Sequence, residues 1–283
     1  YMTNLGVLFA LVKAGDVVFS DELNHASIID GCRIARAKTV VYRHNDMDGL
    51  ERLLKETPVS GERFIVTDGV FSMDGDIANL PELVRLKQKY GAVLMVDDAH
   101  GVGVIGADGS GTAAHYNMPG TVDVQVGTLS KALAAEGGYV AANSVIIEYL
   151  INKSRPFIFS TALPACVTAA ALAALRLLRQ NPEQYAGRLR KNAALMRGLL
   201  KEENFEVIEG VTPIVPVLTG STHKTMQFMD ALLEAGIMVS GIRPPTVPEG
   251  TSRLRVTVTA AHTEEEIIYA ARTMGRIWRK INA

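Results

Sequence analysis

The run Val93-Leu-Met-Val-Asp-Asp-Ala-His100 constrains the fold more than any other stretch of the chain. Its apolar residues leave no polar face, so a strand here must be covered on both sides, as in parallel sheets. Such a strand delivers Asp97, Asp98 and His100 to its carboxyl edge, where open α/β sheets bind ligands. Further strand candidates stand at 17–20, 39–42, 63–67, 122–127 and 138–142, with helical patterns between them such as 46–56 and 79–90. Asn79 is placed to cap the second of these helices, and Pro81 sits in its first turn. The βαβ alternation predicts an α/β fold with a mainly parallel sheet and helices on both faces.

The pattern changes near residue 165, which divides a larger domain over 1–165 from a connecting helix and smaller α/β domain over 166–283. A helix at 164–180 leads into a charged helix at 182–203. Strand candidates follow at 205–209, 214–218, 238–240 and 254–257, with helices at 222–235 and 264–281 and a loop at 241–250 holding three prolines. The Ala-rich stretch 164–178 contains Arg176 and falls short of the roughly 18 apolar residues of a membrane span, so it reads as a buried helix. A formal net charge of −1 gives no electrostatic reason to expect nucleic acid or an anionic membrane as partner. Cys32 and Cys166 match neither a disulfide framework nor a zinc pattern and read as reduced thiols of a cytoplasmic protein. His44, His115, His223 and His262 show no ligand spacing, and no metal is expected.

The strand candidate at 122–127 runs into Thr128-Leu-Ser-Lys131, a lysine among hydroxyls and small residues. A carboxylate and a lysine on neighbouring strand ends suit pyridoxal 5′-phosphate, with lysine as its Schiff-base partner and aspartate on the pyridinium nitrogen. Taken alone, each residue also has an ordinary reading, as a strand-end carboxylate or a surface lysine. Gly101-Val-Gly-Val-Ile-Gly106 fits a dinucleotide-binding spacing, but a glycine-rich loop follows it where an amphipathic helix is required.

Six segments carry a resemblance that runs over essentially the whole chain: Asn24-His-Ala-Ser27, Asp68-Gly-Val-Phe-Ser-Met-Asp-Gly-Asp76, Val96-Asp-Asp-Ala-His-Gly-Val-Gly103, Thr128-Leu-Ser-Lys131, Phe159-Ser-Thr161 and Ile242-Arg-Pro-Pro-Thr-Val-Pro248. In order and spacing they resemble the α-oxoamine synthases, a family of fold-type-I pyridoxal phosphate enzymes. The resemblance implies a seven-stranded type of mainly parallel sheet plus a smaller C-terminal domain. It gives Lys131 the cofactor link and the α-proton, Asp97 the pyridine nitrogen, His100 the ring's phenolic oxygen and His25 the stacked face. Ser72 would bond a cofactor or His100 oxygen, and Thr128 the phosphate. Tyr1 and Met2 resemble the tail of a phosphate-cradling turn, while Ser160 and Thr161 would reach the phosphate from the other subunit of a homodimer. His25, Arg243, Thr246 and Arg255 are the substrate-binding candidates, the arginines offering planar forks for a carboxylate.

The implied reaction is decarboxylative condensation of an amino acid with an acyl-CoA or carrier-protein thioester. The segment Ile242–Pro248 and the run from Arg253 to His262 look most like the member using alanine and a pimeloyl thioester. The stretch from Ser20 to Gly31 looks more like the member using glycine and acetyl-CoA. An aminotransferase shares the fold but not this set of segments, and a non-catalytic fragment or regulatory subunit is the reading outside enzymes. Family members carry further residues ahead of the position of Tyr1, so an N-terminal portion of the large domain is expected to be missing from the sequence.

Overall fold

The computed structural model describes every residue from Tyr1 to Ala283. Two compact units emerge, one of Tyr1–Phe71 with Ile77–Pro182, the other of Ser72–Asp76 with Glu183–Ala283. By contacts, therefore, the helix at 164–180 goes with the first unit.

The first unit runs α1 (Met2–Leu11), β1 (Val17–Asp21), α2 (Ala26–Ala35), β2 (Lys38–Tyr42), α3 (Met47–Glu56), β3 (Arg63–Asp68), α4 (Leu80–Tyr90) and β4 (Ala92–Asp97). It continues with α5 (Thr112–His115), β5 (Val124–Thr128), β6 (Gly138–Ala142), α6 (Ser144–Lys153), α7 (Arg155–Ile158) and α8 (Ala165–Gln180). The sheet order is β2-β1-β3-β4-β5-β6. All pairs are parallel except β5–β6, and six strands are present where the resemblance implies seven; β6 stands at the edge as the antiparallel one.

Alternate residues of β1, β3 and β4 feed two different cores, which is why these strands read as continuously apolar. Val18, Phe64, Val66, Met95 and Val126 pack with α1 and α2 residues such as Val7, Leu8 and Ile28. Phe19, Ile65, Leu94 and Val96 pack with Leu50, Leu54, Leu83 and Leu86 of α3 and α4. Each of those four leucines is fully buried, contributing roughly 1.5–3 kcal/mol by removal from water. The helix starts are locally encoded: Asp46 Oδ1 accepts from Gly49 N at 2.9 Å, and Asn79 caps α4 through Glu82 N.

The second unit holds a π-helical turn (Glu183–Gly187), α9 (Arg188–Glu202), β7 (Ile214–Gly220), α10 (Thr222–Glu234), β8 (Ser240–Ile242), β9 (Ser252–Thr257) and α11 (Glu264–Asn282). Its antiparallel sheet, ordered β7-β9-β8, packs Val215, Val217, Leu254 and Val256 against Leu200, Phe228 and Met274 of the helices. Thr263 and Glu266 form a reciprocal capping box at the start of α11.

Three expectations need correction. Residues 205–209 are not a strand; only Val207 bridges to Val217. The potential partner strand contains Pro216, which has no N–H to donate to a ladder. The strand expected at 238–240 begins instead at Ser240 and takes in the first residues of the Pro-rich loop. Finally, α8 is not buried: Ala171 is its single buried residue, and Leu172, Leu175 and Leu177 are exposed. Its apolar stripe has no cover within the chain.

Candidate active site

Parallel pairing places the carboxyl ends of β1, β3 and β4 side by side, which sets Asp21, Asp68 and Asp97 at one sheet edge. Asp68 and Asp97 are direct register partners, and both are buried. Burial first, and then the neighbouring Asp97 charge, pushes the Asp68 carboxyl well above the usual carboxylate range. The His25 backbone N–H, donating to Asp68 Oδ2 at 3.0 Å, and the Lys131 ammonium pull the other way.

Asp97 Oδ1 accepts from Ala99 N at 3.0 Å and Oδ2 from Asn4 Nδ2 at 2.6 Å. Asp98, pointing to the opposite face, is caged. It accepts from Thr112 N at 2.8 Å, Thr112 Oγ1 at 2.6 Å and Gln125 Nε2 at 3.0 Å. A Cβ built on Gly69, Gly101 or Gly111 would collide with this carboxylate. The glycine-rich loop after β4 is therefore wrapped around an acceptor, an arrangement opposite to a phosphate-cradling turn.

His25 is the N-cap of α2, and its Nδ1 lies 2.7 Å from Ser27 Oγ and accepts from Ser27 N at 3.3 Å. Partial desolvation holds the ring below the ordinary histidine value; the Asp97 charge opposes this shift and the Lys131 charge adds to it. Lys131 thus lies within electrostatic reach of both His25 and Asp68. Thr128, at the end of β5, shares a 2.8 Å hydrogen bond with Ser130, and its Oγ1 accepts from Ser130 N at 3.2 Å. His100 follows β4 and is half-buried.

Tyr1 is the N-cap residue of α1 and makes no side-chain cap, so the first-turn N–H groups of that helix, beginning at Met2, keep their donors. The Thr3 hydroxyl packs so closely on Gly138 that a Cβ there would collide, and Gly138 pairs with Thr128. A helix N-terminus and two hydroxyls thus gather on one side, as an anion requires, and Lys131 follows three residues after Thr128. The buried Asp97 carboxylate and the imidazole of His25 join them on the same unit. This donor set fits a phosphorylated pyridine.

The remaining expected residues are placed elsewhere. Ser72 lies half-buried in the loop after β3, in the segment that groups with the second unit. Ser160 and Thr161 are exposed between α7 and α8. Arg243 and Thr246 are exposed in the Pro-rich loop, where Thr246 N donates to Arg243 O at 3.0 Å. Arg255, central in β9, keeps a buried Nε with no hydrogen-bond partner, and burial lowers its pKa. Its neighbour Arg253 is ion-paired with Asp74.

Two residues outside the expected set join the cluster. Asn4, only 2% exposed, donates from Nδ2 to both Ser27 Oγ at 2.8 Å and Asp97 Oδ2 at 2.6 Å. Its sequence signal is a lone amide inside the apolar helix Met2–Leu11. Asp68 was visible only as the first residue of a recognised segment.

The aminotransferase class I and II family model matches residues 1–274. The chain is 54% identical over 283 residues to 8-amino-7-oxononanoate synthase of Geobacter sulfurreducens, covering 99% of this chain and 72% of that protein. Serine palmitoyltransferase from S. paucimobilis, solved with a bound PLP–myriocin aldimine, superposes with a TM-score of 0.95 at 35% identity, over 100% of this chain and 71% of that one. An 8-amino-7-oxononanoate synthase from Francisella tularensis superposes with a TM-score of 0.84 at 30% identity, over 100% of this chain and 81% of that one.

Proposed function

Because the chain belongs to the aminotransferase class I and II family, and within it to the fold-type-I α-oxoamine synthases, we propose that it is a pyridoxal-phosphate-dependent 8-amino-7-oxononanoate synthase. It joins L-alanine to a pimeloyl thioester in biotin biosynthesis, releasing coenzyme A and carbon dioxide. The observation that carries this reading is the 54% identity to a synthase of that name, together with the gathering of Lys131, Asp97 and His25 on one unit.

The cofactor supplies an electron sink for the carbon that loses its proton. Lys131 would hold the cofactor, and its Nζ, when free, would carry the α-proton of alanine. Asp97, buried at the end of β4, would meet the ring nitrogen, where its negative charge would favour a proton. His100 is assigned the phenolic oxygen and His25 the open face of the ring. Thr128 and the first turn of α1 at Tyr1 and Met2 would hold the phosphate, with Ser72 as a further polar contact. Arg243, Thr246 and Arg255 are the substrate-binding residues in this reading, each guanidinium matching a carboxylate. Ser160 and Thr161 complete the site of the other subunit in a homodimer. The exposed Phe157, Phe159, Leu172 and Leu175 support that assembly. The free thiols Cys32 and Cys166 go with a cytoplasmic enzyme.

The test is coenzyme A release from purified protein offered alanine or glycine with pimeloyl- or acetyl-CoA. Alanine with pimeloyl-CoA should be the fastest pair. Preference for glycine with acetyl-CoA would replace the reading by glycine C-acetyltransferase, and half-transamination without coenzyme A release would replace it by an aminotransferase. Borohydride treatment should leave a pyridoxyl label on the peptide containing Lys131; a label on another lysine removes that assignment.

A further inference from the structure

Asn4 of α1, Ser27 of α2 and Asp97 of β4 come together through hydrogen bonds that span 23 and 93 residues of sequence. We propose that Asn4 and Ser27 are positioning residues that hold His25 with its ring proton on Nε2 and, through the same amide, fix the orientation of the Asp97 carboxylate. The inference rests on the assignment of His25 and Asp97 to the cofactor and deepens it.

A side-chain amide NH₂ has two donors and no acceptor, while its oxygen only accepts. Asn4 Nδ2 spends both protons, one on Ser27 Oγ at 2.8 Å and one on Asp97 Oδ2 at 2.6 Å. Turning the amide over would set two acceptor oxygens face to face at that short distance, so the observed orientation is the one the carboxylate selects. The cost is visible in the structure: Asn4 Oδ1 is buried without a hydrogen-bond partner.

Ser27 Oγ then accepts from Asn4, and its single proton is left to point at His25 Nδ1, 2.7 Å away. The Ser27 backbone N–H donates to the same nitrogen at 3.3 Å. A backbone amide nitrogen cannot accept, so Nδ1 must present a lone pair. The proton of the neutral ring is therefore on Nε2. This arrangement gives His25 a donor, not an acceptor, on its other nitrogen, and ties the ring to the carboxylate through two side chains.

The experiment is ¹⁵N-histidine NMR on the full-length holoenzyme, with the His25 signals assigned by their loss in His25→Gln. The wild-type spectrum decides the tautomer without any variant: Nε2 protonated and Nδ1 bare is the expected result, and Nδ1 protonated overturns the proposal. Ser27→Ala and Asn4→Leu test the relay. Ser27→Ala leaves only the 3.3 Å backbone N–H on Nδ1, and Asn4→Leu frees the Ser27 hydroxyl to accept from the ring, so each should move the His25 Nδ1 signal from the bare-nitrogen position toward that of an averaging ring, while Ser27→Thr, which keeps the hydroxyl, should restore the wild-type signal. Spectra of both variants that match the wild type remove the relay from the assignment. The readout does not depend on which amino acid or thioester the enzyme accepts. Failure to use alanine with pimeloyl-CoA therefore leaves this result standing, and a wrong tautomer leaves the catalytic reading standing.

Discussion

Asp68 and Asp97 face each other across neighbouring strands, and two buried carboxyl groups so placed cannot both ionise cheaply. Burial and the Asp97 charge raise the Asp68 pKa, so the folded chain binds a proton there that the unfolded chain, with a value near 3.8, releases. The stability tied to Asp68 is therefore fully present below the unfolded value and declines as pH rises from about 4 toward the raised folded value. While that one proton is being lost, the slope is at most about 1.4 kcal/mol per pH unit. Asp68→Asn keeps an oxygen that can accept from His25 N but has nothing to titrate. Its urea-unfolding free energy, compared with wild type across this window, should gain on the wild type as pH rises. A constant difference between the two proteins would show that Asp68 does not change protonation on folding. The same residues show why single side chains are hard to read from sequence. Lys131, Asp97 and His25 lie in compact motifs, whereas Asn4 acquires its partners from strands and helices far along the chain. Nothing local marks it except polarity inside an apolar helix.

At the scale of elements, the glycine-rich loop after β4 owes its shape to one carboxylate. Gly111 has φ +96° and ψ −160°, a conformation almost confined to glycine, and its missing Cβ would fall on Asp98 Oδ2. Gly111→Ala should lose about 2–5 kcal/mol in urea unfolding, from backbone strain and overpacking combined. Gly120, with φ +77° but no atom within 4 Å of its built Cβ, is the control. Gly120→Ala should lose only about 1–2 kcal/mol. Equal losses at the two positions would mean that the Asp98 cage adds nothing. The central strands β1, β3 and β4 were legible because each is an apolar run feeding two cores, and helix starts such as Asp46 and Asn79 carry their own caps. The second unit was less so. Residues 205–209 have strand-like composition, but pairing is decided by the opposite chain, where Pro216 interrupts the donors. The π-helical turn at Glu183–Gly187 leaves no trace in a helical pattern, because it changes the hydrogen-bond step and not the residue types.

At the scale of the whole molecule, the segment from α6 to α8 is the part that hydrophobic pattern described and the single chain does not explain. Phe157 and Phe159 are 66% and 71% exposed, Val145 is 74% exposed, and α8 buries one residue of its length. Apolar surface concentrated in this way is what a protein–protein contact covers, and a symmetric dimer is the commonest assembly. Ser160 and Thr161 lie within the same exposed segment, so the contact and the proposed phosphate donors share one stretch of chain. We therefore expect sedimentation equilibrium to give twice the 30.5 kDa chain mass. Phe157→Asp places a charge on this surface while disturbing little of the protomer's own packing, since the ring is mostly exposed. It should shift the equilibrium to monomer and, in the same samples, weaken pyridoxal phosphate binding by at least about tenfold, the loss of roughly one charge-assisted hydrogen bond. Circular dichroism should remain that of the wild type, which separates a broken contact from a broken fold. A wild-type monomer whose affinity for the cofactor is unchanged by Phe157→Asp would place the phosphate donors entirely within one chain and remove Ser160 and Thr161 from the site.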